Sequence, residues 1–127
     1  MICDGQFQVD VGRLACDELL KRDPKVTAIF AANDKMAIGA YQSLRAHGRQ
    51  PGTDVSVIGC DDIPTSALAE PPLTTVRLNF FEVGAAACRR LMQIIGREDE
   101  DSTVVERIPV SLVRRESCAP VASRVGR

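Results

Sequence analysis

The sequence predicts an α/β protein with a mainly parallel sheet flanked by helices, and three observations carry that reading. Two short, apolar, β-branched runs, "VTAIFAA" (26–32) and "VSVIG" (55–59), bracket a stretch of helical period, which is the order of a β-α-β unit. Strands joined in this way are parallel neighbours connected by a right-handed crossover. Helical period recurs on either side, over about 10–23 and 79–95, with no internal repeat or low-complexity segment.

Each element has its own warrant. In "VDVGRLACDELLKRD", Val11, Leu14, Ala15 and Leu19 fall at helical spacing, Asp10 is placed to cap the helix, and Pro24 ends it. "VTAIFAA" is apolar throughout, as a strand covered on both faces should be. The next helix, in "NDKMAIGAYQSLRAHG", presents Met36, Ala37, Ala40, Tyr41 and Leu44 on one side and closes at Gly48. A "PGTD" turn leads into "VSVIG", the second strand. Beyond it come a helical turn at 65–69, the rigid Pro71-Pro72 pair and an extended "LTTVRL". Asn79 then caps an amphipathic helix running to about Ile95, with Phe80, Val83, Ala87, Leu91 and Ile94 on one stripe. "REDED" reads as a solvated charged turn, "VVERIPVSLVRRES" as one or two last strands, and 119–127 as a flexible tail.

Composition narrows the function classes. The chain has 127 residues, 45% hydrophobic and 26% charged, with a net charge of −1; this is ordinary globular composition without the basic surface that grips nucleic acid. The five cysteines (Cys3, Cys16, Cys60, Cys88 and Cys118) are scattered, with no C-x-x-C pair, and His47 is the lone histidine. A metal site is therefore not expected, and no cofactor is implied. Scattered thiols without a signal peptide fit a reducing cytoplasm, and no apolar stretch is long enough to span a membrane.

Chemistry is expected where parallel strands end, because α/β sheets collect ligands at their carboxyl edge. Asn33-Asp34 follows the first strand and Asp61-Asp62 the second, so both pairs should line one crevice. Of the first pair, Asp34 is expected to cap the following helix, leaving Asn33, with a donor and an acceptor, free to face the crevice. Of the second, Asp61 is the expected ligand contact, and Asp62 shapes the turn into Pro64. Paired acids also occur in phosphate-accepting receivers, but the order of acids and lysine those domains need is absent. No nucleophile elbow, phosphate loop or H-E-x-x-H motif is present, and Ser66, Cys60 and His47 form no triad; the expectation is a binding protein, not an enzyme.

The pieces "AND-MAIGA", "DVSVIG-DDIP", "PPLTTVR" and "SLVRRES" together resemble the lactose-repressor/galactose-repressor (LacI/GalR) family of bacterial transcription regulators, in that family's order and spacing. The resemblance implies a periplasmic-binding-protein-like (type I) lobe, here incomplete: residues 1–118 correspond to the C-terminal part of the effector-binding domain, and the helix near 80–95 would return to the first lobe. The family's helix-turn-helix headpiece is not matched, so operator DNA would be met only through a segment outside this chain. The ligand-binding positions carried over are Asp61 and Asn33 as polar contacts, Phe7 as a stacking aromatic and Phe80 as a pocket wall, for a small effector of the sugar or nucleobase kind. Leu78 and Cys60 depart from the family's frequent Gln and aromatic residues. Ile38, Tyr41 and Leu68 map to the homodimer surface, with simple core packing as the competing role for each. The implied function is effector sensing in a cytoplasmic transcriptional repressor or activator, by a two-state lobe closure. The alternative is a fragment of a periplasmic sugar-binding transport protein, which shares the fold and the "AND-MA-GA" piece.

Overall fold

In a computed structural model that describes residues 1–96 and 105–120, eight elements follow in the order α1 (Val9–Arg22), β1 (Ala28–Phe30), α2 (Asp34–Ala46), β2 (Ser56–Asp61), α3 (Pro64–Leu68), β3 (Thr74–Arg77), α4 (Phe80–Ile95) and β4 (Ser111–Val113). The four strands form one sheet in the order β1-β2-β3-β4, with β1 parallel to β2 and β2 parallel to β3. The α/β class and the β1-α2-β2 unit are as the sequence predicts. The charged turn "REDED" and residues 121–127 of the expected tail lie outside the described residues. The chain divides into two compact units, Met1–Arg77 with Leu112–Arg127, and Leu78–Ser111.

The first unit has its core between the helices and one face of the sheet. Leu44 of α2, Val55 and Val57 around β2, and Leu73 before β3 are fully buried. Tyr41 lies among them, and its hydroxyl donates to the Pro71 carbonyl at 3.1 Å. Burial pushes that hydroxyl up to about 12, so it stays a neutral donor. The end of α2 is a reverse-turn cap: the N–H of Gly48, at φ 69°, reaches the Arg45 carbonyl, and the N–H of Arg49 reaches that of Leu44. Only glycine adopts that φ freely, which is why the helix stops there.

Helix α1 meets α2 by a different stripe from the one its apolar residues draw. Gly12, Cys16 and Leu20 are buried, whereas Leu14 is 55% exposed. The reason is the closeness of the crossing. A Cβ on Gly39 would collide with the Val9 carbonyl and lie 2.7 Å from the Arg13 nitrogen, and one on Gly12 would lie 2.7 Å from the Met36 Cα. Two glycines let the backbones touch, so Gly12 and Gly39 set where the helices cross, and Cys16 and Leu20, rather than Leu14, follow on the buried face. The N-cap of α1 is Gln8, with Asp10 inside the first turn near the helix's positive end.

Strand β1 also departs from expectation. Ile29 packs on the core, but Ala28 is exposed and Phe30 is 69% exposed. The strand stands at the sheet edge, and within the first unit the helices cover one face only, so the run is not buried on both sides as predicted. In the second unit, Asn79 caps α4 as expected, its side chain accepting from the Glu82 N–H at 3.2 Å. The stripe Phe80, Val83, Ala87, Leu91 and Ile94 forms on this helix but lies open, and Ala86 is its buried residue.

Candidate functional site

The site assembles at the carboxyl ends of β1 and β2, and it begins with a cap. Asn33, 8% exposed, uses its Oδ1 to accept the Met36 N–H at 2.9 Å, and its Nδ2 to donate to the Phe7 carbonyl at 3.3 Å. The expected division of labour is therefore reversed: Asn33 caps α2, and Asp34 does not. The physical reason is geometric, since the residue with extended backbone just before the first turn is the one whose side chain reaches the free N–H groups.

Asp34 enters the first turn of α2 and turns inward, where it is fully buried. One oxygen accepts from the Thr75 hydroxyl at 2.5 Å; the other accepts from the Ser66 hydroxyl at 2.5 Å and the Ile63 N–H at 3.0 Å. A buried carboxylate needs such a set of donors. Gly59 leaves room for it, because a Cβ there would overlap the Asp34 carboxylate. One side chain thus ties α2 to β3, α3 and the turn after β2, a role the sequence reading missed. Of the adjacent Thr74 and Thr75, only the Thr75 hydroxyl reaches it, while that of Thr74 accepts the Arg115 N–H, so no local pattern announces the hub.

Around this hub two pairs of residues adopt a backbone that L-amino acids rarely take. Gln6 and Phe7 have φ 47° and 57°, and Asp61 and Asp62 have φ 117° and 58°. Such conformations persist where the surroundings impose them, and they gather at ligand sites. The first pair is fixed by Asp4, whose carboxylate accepts the Gln6 N–H at 3.0 Å, and by the Asn33–Phe7 bond. Its effect is to hold the Phe7 ring 61% exposed beside the end of β1.

The two acids of the second pair differ sharply. Asp62, with its side chain only 8% exposed, accepts from Arg77 Nε and from Arg115 Nη2, each at 2.6 Å. Burial alone would raise its carboxyl; the hydrogen bonds of Arg115 and then Arg77 outweigh burial and hold it below the ordinary range. It is an ion-pair partner as well as a left-handed residue, φ 58°, in the turn that leads to Pro64. The Asp61 carboxylate is half-buried and, among the described residues, receives no hydrogen bond. Burial first, and then the charge of Asp34, push its carboxyl above the ordinary value against the pull of Lys35. A partly desolvated acceptor with no partner is what a ligand's hydroxyl or N–H groups would complete.

The remaining predicted residues fall in three places. Phe80 opens α4 in the second unit and is 58% exposed. Tyr41 is inside the core, where its ring is closed off from any partner, so it takes the competing role. Ile38 and Leu68 line a groove of about 680 Å³ with Lys35, Ile63 and Thr65, and Leu68 is 82% exposed. Among the described residues no three His, Cys, Asp or Glu side chains converge on a metal position, and no helix is long and apolar enough to cross a membrane.

Residues 4–118 match the family described as periplasmic binding protein-like domain. Among curated proteins, the chain is 34% identical over 116 residues to catabolite control protein A of Priestia megaterium, covering 91% of this chain and 35% of that protein. It is 39% identical over 118 residues to the HTH-type transcriptional regulator CelR of Thermobifida fusca, covering 92% and 34%. It is 32% identical over 114 residues to the HTH-type transcriptional repressor PurR of Pasteurella multocida, covering 90% and 34%. The chain therefore spans about a third of the length of these relatives. Among solved structures, the lac repressor dimer bound to operator and the anti-inducer ONPF superposes with a TM-score of 0.81 at 32% identity, covering 90% of this chain and 39% of that one. The complex of CelR with cellobiose gives 0.79 at 37% identity, covering 92% and 37%.

Proposed function

We propose that this chain, which belongs to the periplasmic binding protein-like domain family, is the effector-sensing and dimerisation portion of a LacI-type bacterial transcription regulator, working in the cytoplasm as a binding protein rather than an enzyme. The observation that carries the reading is the Asp61 carboxylate, unpartnered among the described residues and held in a left-handed turn at the end of a parallel strand. A polyhydroxylated ligand suits it: several donors converge on one charged acceptor, while the flat apolar face of a sugar lies on an exposed ring such as Phe7. Asn33 serves this site through the Phe7 backbone it fixes, in addition to any direct contact.

Cellobiose, lactose and ribose are the ligands named for similar regulators, which supports a sugar over a nucleobase. DNA is addressed through a headpiece outside this chain, and effector binding shifts the lobe equilibrium that sets operator affinity. Ile38 and Leu68 form the dimer contact, because they are the apolar residues of that set left accessible, and two headpieces need two protomers to read two half-sites.

The test is titration calorimetry of the complete regulator with cellobiose, lactose and ribose, followed by an operator-release assay. Asp61→Asn should weaken binding of the responding sugar at least tenfold and abolish release, while operator affinity stays within twofold. Unchanged sugar affinity in that variant rejects the assignment.

A further inference from the structure

Asp61 of β2 and Arg77 of β3 are register partners across the parallel ladder. The nearest strand-borne cation thus stands opposite the acid assigned above to ligand contact, and a pair between them would close the site. It does not form. The Arg77 guanidinium passes to the next residue along and donates from Nε to Asp62 Oδ2 at 2.6 Å. The second oxygen of Asp62 is taken by Arg115 Nη2, also at 2.6 Å. Arg115 is itself held in place, its Nη1 donating to the Leu73 carbonyl at 2.7 Å and its backbone N–H to Thr74 Oγ1 at 2.9 Å.

We propose that Asp62 is a positioning residue that keeps the Asp61 carboxylate open for ligand by sequestering Arg77. Resting on the reading of Asp61 as a ligand contact, this gives the neighbouring acids two jobs: one absorbs the local positive charge, and the other remains an unsatisfied acceptor. Two features make the arrangement selective for Asp62. Arg115 is 18% exposed and immobilised, so it draws the Asp62 carboxylate to the β3 side and prearranges it for the more exposed Arg77. The left-handed backbone at Asp61 and Asp62, φ 117° and 58°, takes both acids out of ordinary strand geometry, so the register with Arg77 does not by itself pair it with Asp61. The other ionisable groups acting on Asp61 are Asp34 and Lys35 from α2, and the Cys60 thiol lies next to it on β2; none occupies its oxygens.

The experiment is carboxyl carbon NMR titration of the whole chain, with no ligand present. In the wild type, burial and then the charge of Asp34 should place the Asp61 midpoint above the ordinary carboxyl value. D62N should release Arg77 to its register partner and lower the Asp61 midpoint by about one pH unit or more. The double variant D62N/R77Q should return that midpoint to the wild-type position, a rescue that a merely structural role of Asp62 would not give. R77Q alone should leave Asp61 where it is, and it provides the test should D62N fail to fold. An Asp61 midpoint unmoved by D62N, a drop not reversed by R77Q, or a rise in R77Q alone would each overturn the proposal. Because no sugar enters the measurement, its failure leaves the ligand assignment to be judged by calorimetry, and failure of the calorimetry leaves this pairing intact.

Discussion

Asp61 and Asp62 share a strained backbone, yet their carboxyls are displaced in opposite directions, and each displacement is also a statement about stability. Asp62 is held below its unfolded value, so its contribution is present above about 3.8 and is lost as pH falls through its lower folded value. Asp61 is held above its unfolded value, so its ionised form costs stability at neutral pH, and that cost is relieved as pH falls through the folded value. Asp61→Asn is therefore expected to be more stable than wild type at pH 7, by an increment that shrinks as pH drops toward 3.8. Urea unfolding of both proteins across that range measures it. A binding acceptor left without a partner in the free protein would then be visible as a stability deficit. The sequence carried part of this: a strand followed by acids located Asp61, but Arg115 lies 53 positions from Asp62, and no local pattern reports a pairing across that distance. The exchange of roles between Asn33 and Asp34 was hidden for another reason. Both residue types cap helices, and the choice depended on where Thr75 and Ser66 needed an acceptor.

The helices show what periodicity reveals and what it conceals. For α2 and α4 the apolar spacing and terminal signals gave the span, the Asn79 cap and the Gly48 stop, because those depend on neighbours in sequence. For α1 the apolar stripe pointed away from the true contact, since backbone-to-backbone approach selects for lack of volume. Gly39→Ala should accordingly lower stability by about 2 kcal/mol through overpacking, seen as an earlier denaturant midpoint. Gly84 of α4 is the contrast: nothing lies within 4 Å of a Cβ there. Gly84→Ala should stabilise that helix by about 0.5–1 kcal/mol through propensity alone, read as increased helical circular dichroism.

On the scale of the whole chain, apolar surface is left open. Phe81 is 85% exposed, Met92 67%, Ile95 66%, Leu91 57% and Ile94 45%, all on one helix; exposed apolar side chains in this number offer a hydrophobic dye a place to bind. The chain on its own should bind the dye ANS, and the double variant Leu91→Glu with Ile94→Glu should cut the fluorescence by more than half without loss of helix signal. Equal dye binding by the variant would place the responsible surface elsewhere. The amphipathic stripe was read correctly from sequence as a stripe, but a pattern specifies only that a face is apolar, not which surface meets it.

Ser117 adds a temporal dimension. Its buried hydroxyl accepts from the Thr74 N–H at 2.8 Å and donates to the Val57 carbonyl at 2.6 Å, and its own carbonyl accepts the Val57 N–H at 2.8 Å. The seam between β2 and β3 is thus stitched by a residue near the end of the chain, after the 78–111 excursion has been made. β2 and β3 pair directly from Ile58 to Asp61, but during synthesis the Val57–Thr74 end of their seam lacks this clamp until residue 117 emerges, the interval when that end is most exposed to wrong partners.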